Sequence, residues 1–354
     1  MEEAPGRVKQ DRPISPGLLF SLLRESSRSF YLTLRVLPRA IRTQIGLAYL
    51  LARTSDTIAD TEVLPVEQRL DSLQGLRERI LGRNTAPLDL RQLAQRQTLS
   101  VERALLERSE DCIALLRVLA TADQQRVQSV LSTIISGQEL DLRRFAGASE
   151  NHILALEHEV ELDDYTYRVA GCVGEFWTRM CLAHLFPQAN LQEESFLAKG
   201  VRFGKGLQLV NILRDLPKDL REGRCYLPAE SLKPCGLRPA DLLQPQNEPR
   251  VRDCYNSYLH LADSHLAAGW AYTNLIPRRF VRVRLACAWP LLIGRETLSL
   301  LRTGNALEPQ QRIKISRRQV RGIMWRSIWY YPWPRGWARL FPQPPTSQLT
   351  SNPQ

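Results

Sequence analysis

The 354 residues are 44% hydrophobic and 24% charged, a composition that builds a large core and excludes disordered and fibrous classes. A formal net charge of +11, from 48 basic and 37 acidic residues, favours an anionic partner such as phosphate groups or an acidic membrane surface; with no zinc-finger or RNA-binding signature, no nucleic acid is expected. No apolar run reaches the roughly 18 residues of a membrane span, and MEEAPGRVKQDRPISPG lacks a signal-peptide core, so the protein is expected in the cytoplasm, with peripheral membrane contact still open.

Residues 1–17 read as a flexible N-terminus. Apolar residues then recur at helical spacing, predicting helices over 18–34, 38–60, 65–83, 98–119, 122–145, 150–186, 191–221, 249–274, 278–302 and 314–330. Pro38, Pro65, Pro187 and Pro277 stand where helices start or stop. The stretches 84–97 and 228–249 read as connections. No Gly/Ser- or Pro-rich linker divides the chain, so one all-α domain over 18–320 is expected, followed by an aromatic and basic amphipathic segment, 321–342, and a disordered tail, 343–354.

Chemistry concentrates in two acidic pairs. RTSDTIADTE places Asp56 and Asp60 four apart at the end of an apolar run, and NILRDLPKDLREGRCYLP places Asn211, Asp215 and Asp219 at the same spacing. Positions i, i+4 and i+8 share one helical face. Carboxylates that close repel unless a cation neutralises them, and apolar surroundings sharpen the conflict. Mg²⁺, with oxygen ligands from one or two carboxylates plus water and phosphate, is the expected cation. Pro217 lies inside the second motif and should bend its helix unless the helix is ending there.

Cationic residues flank both pairs: Arg28, within SSRSFYLTLRVLP, and Arg53 near the first, Arg214 and Arg224 near the second. A guanidinium beside a metal-binding acid fits a bridging diphosphate; for Arg53 an ordinary intrahelical ion pair with Asp56 is the alternative. In LDDYTYRVAGCVGEFW, Gly171 and Gly174 each cost a helix about 1 kcal/mol against Ala, which either close helix packing or room for a bulky ligand offsets. Seven cysteines without a CxxC pair read as reduced core residues, and the five histidines show no metal spacing. Residues 325–342 hold four of seven tryptophans interleaved with arginines. That segment either lies flat on a membrane interface or folds back over an apolar groove of its own protein.

SRSF, DTIAD, YTYRVAGCVG and NILRDLPKDLREGRCYLP, in this order and spacing, resemble the squalene and phytoene synthases, which join prenyl diphosphates head to head. The resemblance covers roughly 18–320. It implies an isoprenoid synthase helical fold around a central cavity, with Asp56, Asp60, Asp215 and Asp219 holding Mg²⁺, Asn211 assisting, and Tyr165, four residues before VAG, assisting proton removal. IKISRRQV resembles the segment with which squalene synthases hold NADPH phosphates, which implies Lys314 and Arg317 beside Arg28, Arg53, Arg214 and Arg224 as phosphate-binding residues. The implied reaction condenses two farnesyl diphosphates through presqualene diphosphate and reduces the product to squalene with NADPH. The alternatives are phytoene, dehydrosqualene or presqualene diphosphate synthases without reduction, and a non-catalytic membrane-associated assembly partner. Two departures stand out: Ala59 replaces an acid found before the second Asp in animal squalene synthases, and EGRCYLP is closer to phytoene synthases.

Overall fold

The computed structural model describes residues 21–24, 34, 36–188, 191–310 and 313–342. The first half of the chain supplies α1 (Arg39–Ala59), α2 (Val66–Ile80), α3 (Arg91–Arg96), α4 (Ser100–Glu107), α5 (Ser109–Arg117) and α6 (Thr121–Arg144). Next come β1 (Leu154–Ala155), α7 (Glu159–Thr166), a π-helical turn (Tyr167–Gly171), α8 (Cys172–His184) and α9 (Glu193–Arg221). The remainder is β2 (Arg224–Cys225), α10 (Ala229–Leu232), α11 (Glu248–Leu275), α12 (Val281–Thr303), α13 (Arg317–Tyr330) and α14 (Pro334–Arg339). Among the described residues this is the all-α architecture expected, with two two-residue strands as its only sheet.

Several boundaries differ from expectation. The connection at 84–97 contains α3, and the helix expected over 98–119 steps at Arg108 into α4 and α5, whose apolar residues Leu105, Leu106, Ile113 and Leu116 all reach one core. The element expected from 150 starts at Glu159, because residues 154–155 pair in parallel with Arg224–Cys225. The 228–249 connection holds α10 and single 3₁₀ turns.

Two apolar clusters form the interior. One gathers α1, α2, α5, α6 and α8 around Leu47, Leu51, Leu73, Leu131 and Met180; the other gathers α9, α11 and α12 around Leu213, Tyr255, Leu259 and Leu291. α1 and the turn after it carry buried hydroxyls at low cost because Thr54, Thr57 and Thr61 each donate to the carbonyl four residues back. A seam of glycines joins the α7–α8 region to α9. A Cβ on Gly174 would sit 1.9 Å from the Gly200 carbonyl oxygen, and one on Gly204 would sit 2.0 Å from that of Ala170. For Gly174, close packing is therefore the reason for the small residue.

Pro217 does not break α9, which continues to Arg221. Proline has no N–H for the carbonyl of Leu213, four residues back. The hydroxyl of Tyr255 on α11 takes that place, donating to the Leu213 oxygen at 2.9 Å, with both residues at most 1% exposed. The helix then closes at Gly223, whose φ of 84° and whose closeness to Ser149 exclude any Cβ. That turn delivers β2 beside β1, where Leu154 N–H donates to Gly223 O.

The C-terminal segment folds back over its own protein in part, through Trp337, and leaves three of its tryptophans exposed. Trp337 is buried, stacked 5.0 Å from Trp270 and donating to Asn274 Oδ1 at 2.8 Å. Trp325, Trp329 and Trp333 are 72%, 75% and 65% exposed. Among the described residues no helix is long and apolar enough to cross a membrane.

Tyr255→Phe should cost about 1–3 kcal/mol, the penalty for stranding a buried carbonyl. Urea unfolding of the two proteins measures it, and equal stability would mean that the Leu213 oxygen finds another donor.

Candidate active site

A cavity of about 470 Å³ opens among α1, α2, α6, the α7–α8 region and β2, within the size range of small-molecule sites. Ala48, Ala52, Ile134, Val169, Phe176 and Trp177 form its apolar wall. Polar groups cluster at one end: Asp56 and Asp60 from α1, Arg69 from α2, Gln138 and Asp141 from α6, Tyr165 from α7, and Arg224 and Tyr226 from β2 and the residue after it. Extended backbone explains why Arg224 and Tyr226 enter together while Cys225 is buried elsewhere, since alternate residues share a face.

Gln138 Nε2 donates to Asp56 Oδ1 at 2.6 Å, and the Tyr226 hydroxyl donates to Asp141 Oδ2 at 3.0 Å. The rings of Tyr165 and Tyr226 stack with centroids 4.6 Å apart. Asp56 faces the cavity, so 45% of its side chain is open to that space although protein surrounds it. Burial, reinforced by the charge of Asp60, pushes its carboxyl up to about 6. Burial likewise raises Asp60, and raises Asp141 to about 6. On α9, burial and then the neighbouring Asp215 push Asp219 up to about 7. Arg224 opposes the rise at Asp60, Asp141 and Asp219, so its guanidinium acts on both acidic motifs at once. Tyr165 is raised by burial, then by Asp141 and Asp219, and keeps its proton.

The structure thus brings Asp56, Asp60, Tyr165 and Arg224 onto one cavity, with Asp219 within electrostatic reach. Asp215 lies four residues before Asp219 on α9 and is held by the fork of Arg214, at 2.9 and 2.5 Å. Asn211 is exposed, its amide 3.5 Å from Gln208 Oε1. Arg53 reaches Glu102 at 2.9 Å and Asp56 at 3.9 Å, so it ties α1 to α4 and does not line the cavity. Tyr167 turns away, donating to Glu175 at 3.0 Å. Lys314 and Arg317 are exposed at the start of α13, outside the cavity lining. Arg28 lies outside the described residues.

Sequence reading missed Asp141, Gln138, Tyr226 and Arg69. The signal for Asp141 was a carboxylate interrupting the apolar face of Ile134, Ile135 and Leu142; Tyr226 stood inside a motif already singled out.

Among the described residues no three carboxylate, imidazole or thiol groups lie close enough to hold one metal ion between them. A hard cation that takes one or two carboxylates and completes its shell with water and phosphate needs no such trio. The donor set fits it: all the carboxyl groups offer oxygen, and Gln138 Oε1 is buried without a partner beside Asp56. Arg69 Nε is buried and unpartnered on the same cavity, a donor available to an anion. Cation-seeking and anion-seeking atoms side by side match a metal diphosphate.

The sequence model of the protein family described as "Squalene/phytoene synthase" matches residues 23–319. Squalene synthase ERG9 of Saccharomyces cerevisiae is 28% identical over 299 residues, covering 82% of this chain and 63% of the yeast protein, so the match spans less than two thirds of that relative. Presqualene diphosphate synthase of Sinorhizobium fredii is 29% identical over 304 residues, covering 84% of this chain and 92% of its own. Among solved structures, a ligand complex of TcSQS superposes with a TM-score of 0.73 at 21% identity, covering 92% of this chain and 88% of its own. A dehydrosqualene synthase in complex with ligand gives 0.62 at 22%, covering 89% and 96%. At these identities the superpositions show the fold.

The raised carboxyls give a signed pH dependence. Without a cation the folded state holds these protons more tightly than the unfolded chain. Stability therefore falls as pH rises from the usual carboxylate range to about 7 and levels off beyond. Mg²⁺ with inorganic diphosphate competes with the same protons, so its gain in Tm should be larger at about pH 8 than at about pH 5. Equal gains at both values would remove these carboxylates from the binding site.

Proposed function

This chain belongs to the squalene/phytoene synthase family, and we propose that within it the protein is a squalene synthase. It condenses two farnesyl diphosphates head to head through presqualene diphosphate and reduces the product to squalene with NADPH. The observation that carries this reading is the convergence of carboxylates from two helices on Arg224 and Tyr165 at the polar end of an apolar cavity.

Asp56 and Asp60 on one side and Asp215 and Asp219 on the other would hold Mg²⁺, which, when bound, neutralises the diphosphate and eases its departure. Arg69 and Arg224 orient the diphosphate oxygens. Ala48, Ala52, Val169, Phe176 and Trp177 take the prenyl tails and keep water from the allylic cation. Tyr165 enters as a neutral phenol, so it needs an outlet for any proton it receives. The Tyr165 ring stacks on that of Tyr226, whose hydroxyl donates to Asp141, so a carboxylate stands behind the tyrosine pair as the final acceptor.

NADPH, if bound, would supply the hydride, and Lys314 and Arg317 have the chemistry to hold its phosphates. Their place outside the cavity lining gives no path for a hydride from there, so no step is assigned to them. That same placement favours a second reading, in which the reaction stops at presqualene diphosphate. A peripheral lipid contact through the exposed tryptophans of 325–342 fits the apolar product.

Purified protein with farnesyl diphosphate and Mg²⁺, with and without NADPH, should yield squalene when NADPH is present, as read by mass spectrometry. Presqualene diphosphate in both reactions would select the second reading. Asp215→Asn and Asp219→Asn should each slow farnesyl diphosphate consumption on the order of 100-fold; unchanged turnover would sink the assignment of α9.

A further inference from the structure

The excess positive charge is unevenly placed. Residues 309–354 contain eight basic residues and no acid, and residues 276–295 contain five and none. Four of those five, Arg278, Arg279, Arg282 and Arg284, surround the first turn of α12. A helix N-terminus favours anions and disfavours cations, because its amides are unpaired and its dipole is positive there. No carboxylate stands in that turn, and no side chain caps it. Among the described residues none of the four arginines is ion-paired with an acid.

Arg284 makes the conflict sharpest. It is 6% exposed, lies 5.6 Å from the ring centre of Tyr331 and 5.2 Å from that of Trp337, and donates to Asn274 Oδ1 at 2.7 Å, while its Nε has no partner. A guanidinium that buried is costly without a counter-charge. With Arg278 it lines a second cavity, of about 560 Å³, walled by Trp270, Tyr331 and Trp337. Arg278 also donates to the carbonyls of Tyr331 and Pro332, each at 3.2 Å. The arginines are therefore continuous with the segment that exposes Trp325, Trp329 and Trp333.

We propose that the arginines at the start of α12 form the headgroup site of a membrane-docking face. They take the phosphate of an anionic phospholipid while Trp325, Trp329 and Trp333 enter the bilayer interface. Indole rings settle at the headgroup level, which places the neighbouring guanidinium groups among the lipid phosphates, where Arg matches their oxygens in a fork. Charge complementarity decides for an acidic bilayer over a neutral one. The inference rests on the lipid contact proposed above and adds to it a headgroup chemistry and a location.

Vesicles of phosphatidylcholine, alone or mixed with phosphatidylglycerol, and the full chain separate the two claims by co-sedimentation. Strong binding to the mixed vesicles, weakening with salt, and weak binding to pure phosphatidylcholine is the expected pattern. Arg279→Gln with Arg282→Gln, both exposed positions, should lower partition onto the acidic vesicles roughly 20- to 30-fold. The same double variant should leave Tm and the weak phosphatidylcholine binding unchanged. Trp325→Ala with Trp329→Ala should weaken binding to both. Equal affinity for the two compositions would overturn the headgroup site and keep the lipid contact, whereas no binding to either overturns both. Inorganic phosphate bound by the full chain without vesicles and lost in the double variant, together with no preference for the acidic vesicles, would assign the site to a free anion and overturn the proposal.

Discussion

The rest of the active region depends on one electrostatic conflict: carboxylates at the polar end of an apolar cavity, Asp56, Asp60 and Asp141, with Asp219 within electrostatic reach. Asp56, Asp60, Asp141 and Asp219 are all raised by burial. Such groups persist only where something repays their desolvation, because an isolated buried charge would be replaced by a proton. Arg224 supplies part of the compensation and is itself placed by the two-residue β1–β2 pairing. The sharp turn at Gly223, the short parallel ladder and the stacked tyrosines therefore belong to one electrostatic arrangement, in which the contiguous residues 223–226 meet Tyr165 and the β1 residues Leu154 and Ala155 from elsewhere in the chain.

Keeping the second acidic strip in place is a packing problem. α9 crosses α8 at glycine contacts that admit no side chain, so its distance from the α7–α8 region is set by backbone. Its C-terminal turns contain a proline that could have bent Asp219 away from Asp215. The Tyr255 hydroxyl satisfies the freed carbonyl and α9 runs through. Helix continuity here is a tertiary property, decided by a neighbour on α11 more than by local propensity.

Much of this was legible in the residues. Helical periodicity located most of the long elements within a few positions, the start at Glu159 and the step at Arg108 apart, and the paired i, i+4 acids marked both α1 and α9. The failures share a cause. Arg91–Arg96 and the step at Arg108 follow from how short segments find the core, and two-residue strands carry no period to detect. Asp141 and Arg69 act at the cavity through contacts more than 60 and about 10 residues away in sequence, as Tyr226 to Asp141 and Arg69 to Ala59 show. Pro217 was expected to bend α9 unless the helix was ending there, and the donor that lets α9 run on to Arg221 lies on a helix 38 residues further along the chain. For the C-terminal aromatics, composition left two arrangements open; Trp337 takes the one that folds back on the protein, while Trp325, Trp329 and Trp333 are exposed.

The π-helical turn at Tyr167–Gly171 separates two tasks along what would otherwise be one rod. Such a turn carries one extra residue, which shifts the angular phase between the segments before and after it. Upstream, Tyr165 is set against Tyr226. Downstream, Phe176 and Trp177 close the far wall. Because the turn absorbs the mismatch, the wall can change in bulk or orientation without rotating the tyrosine. A helix of uniform pitch would couple the two, so that any alteration in the shape of the apolar wall would also re-aim the Tyr165 ring.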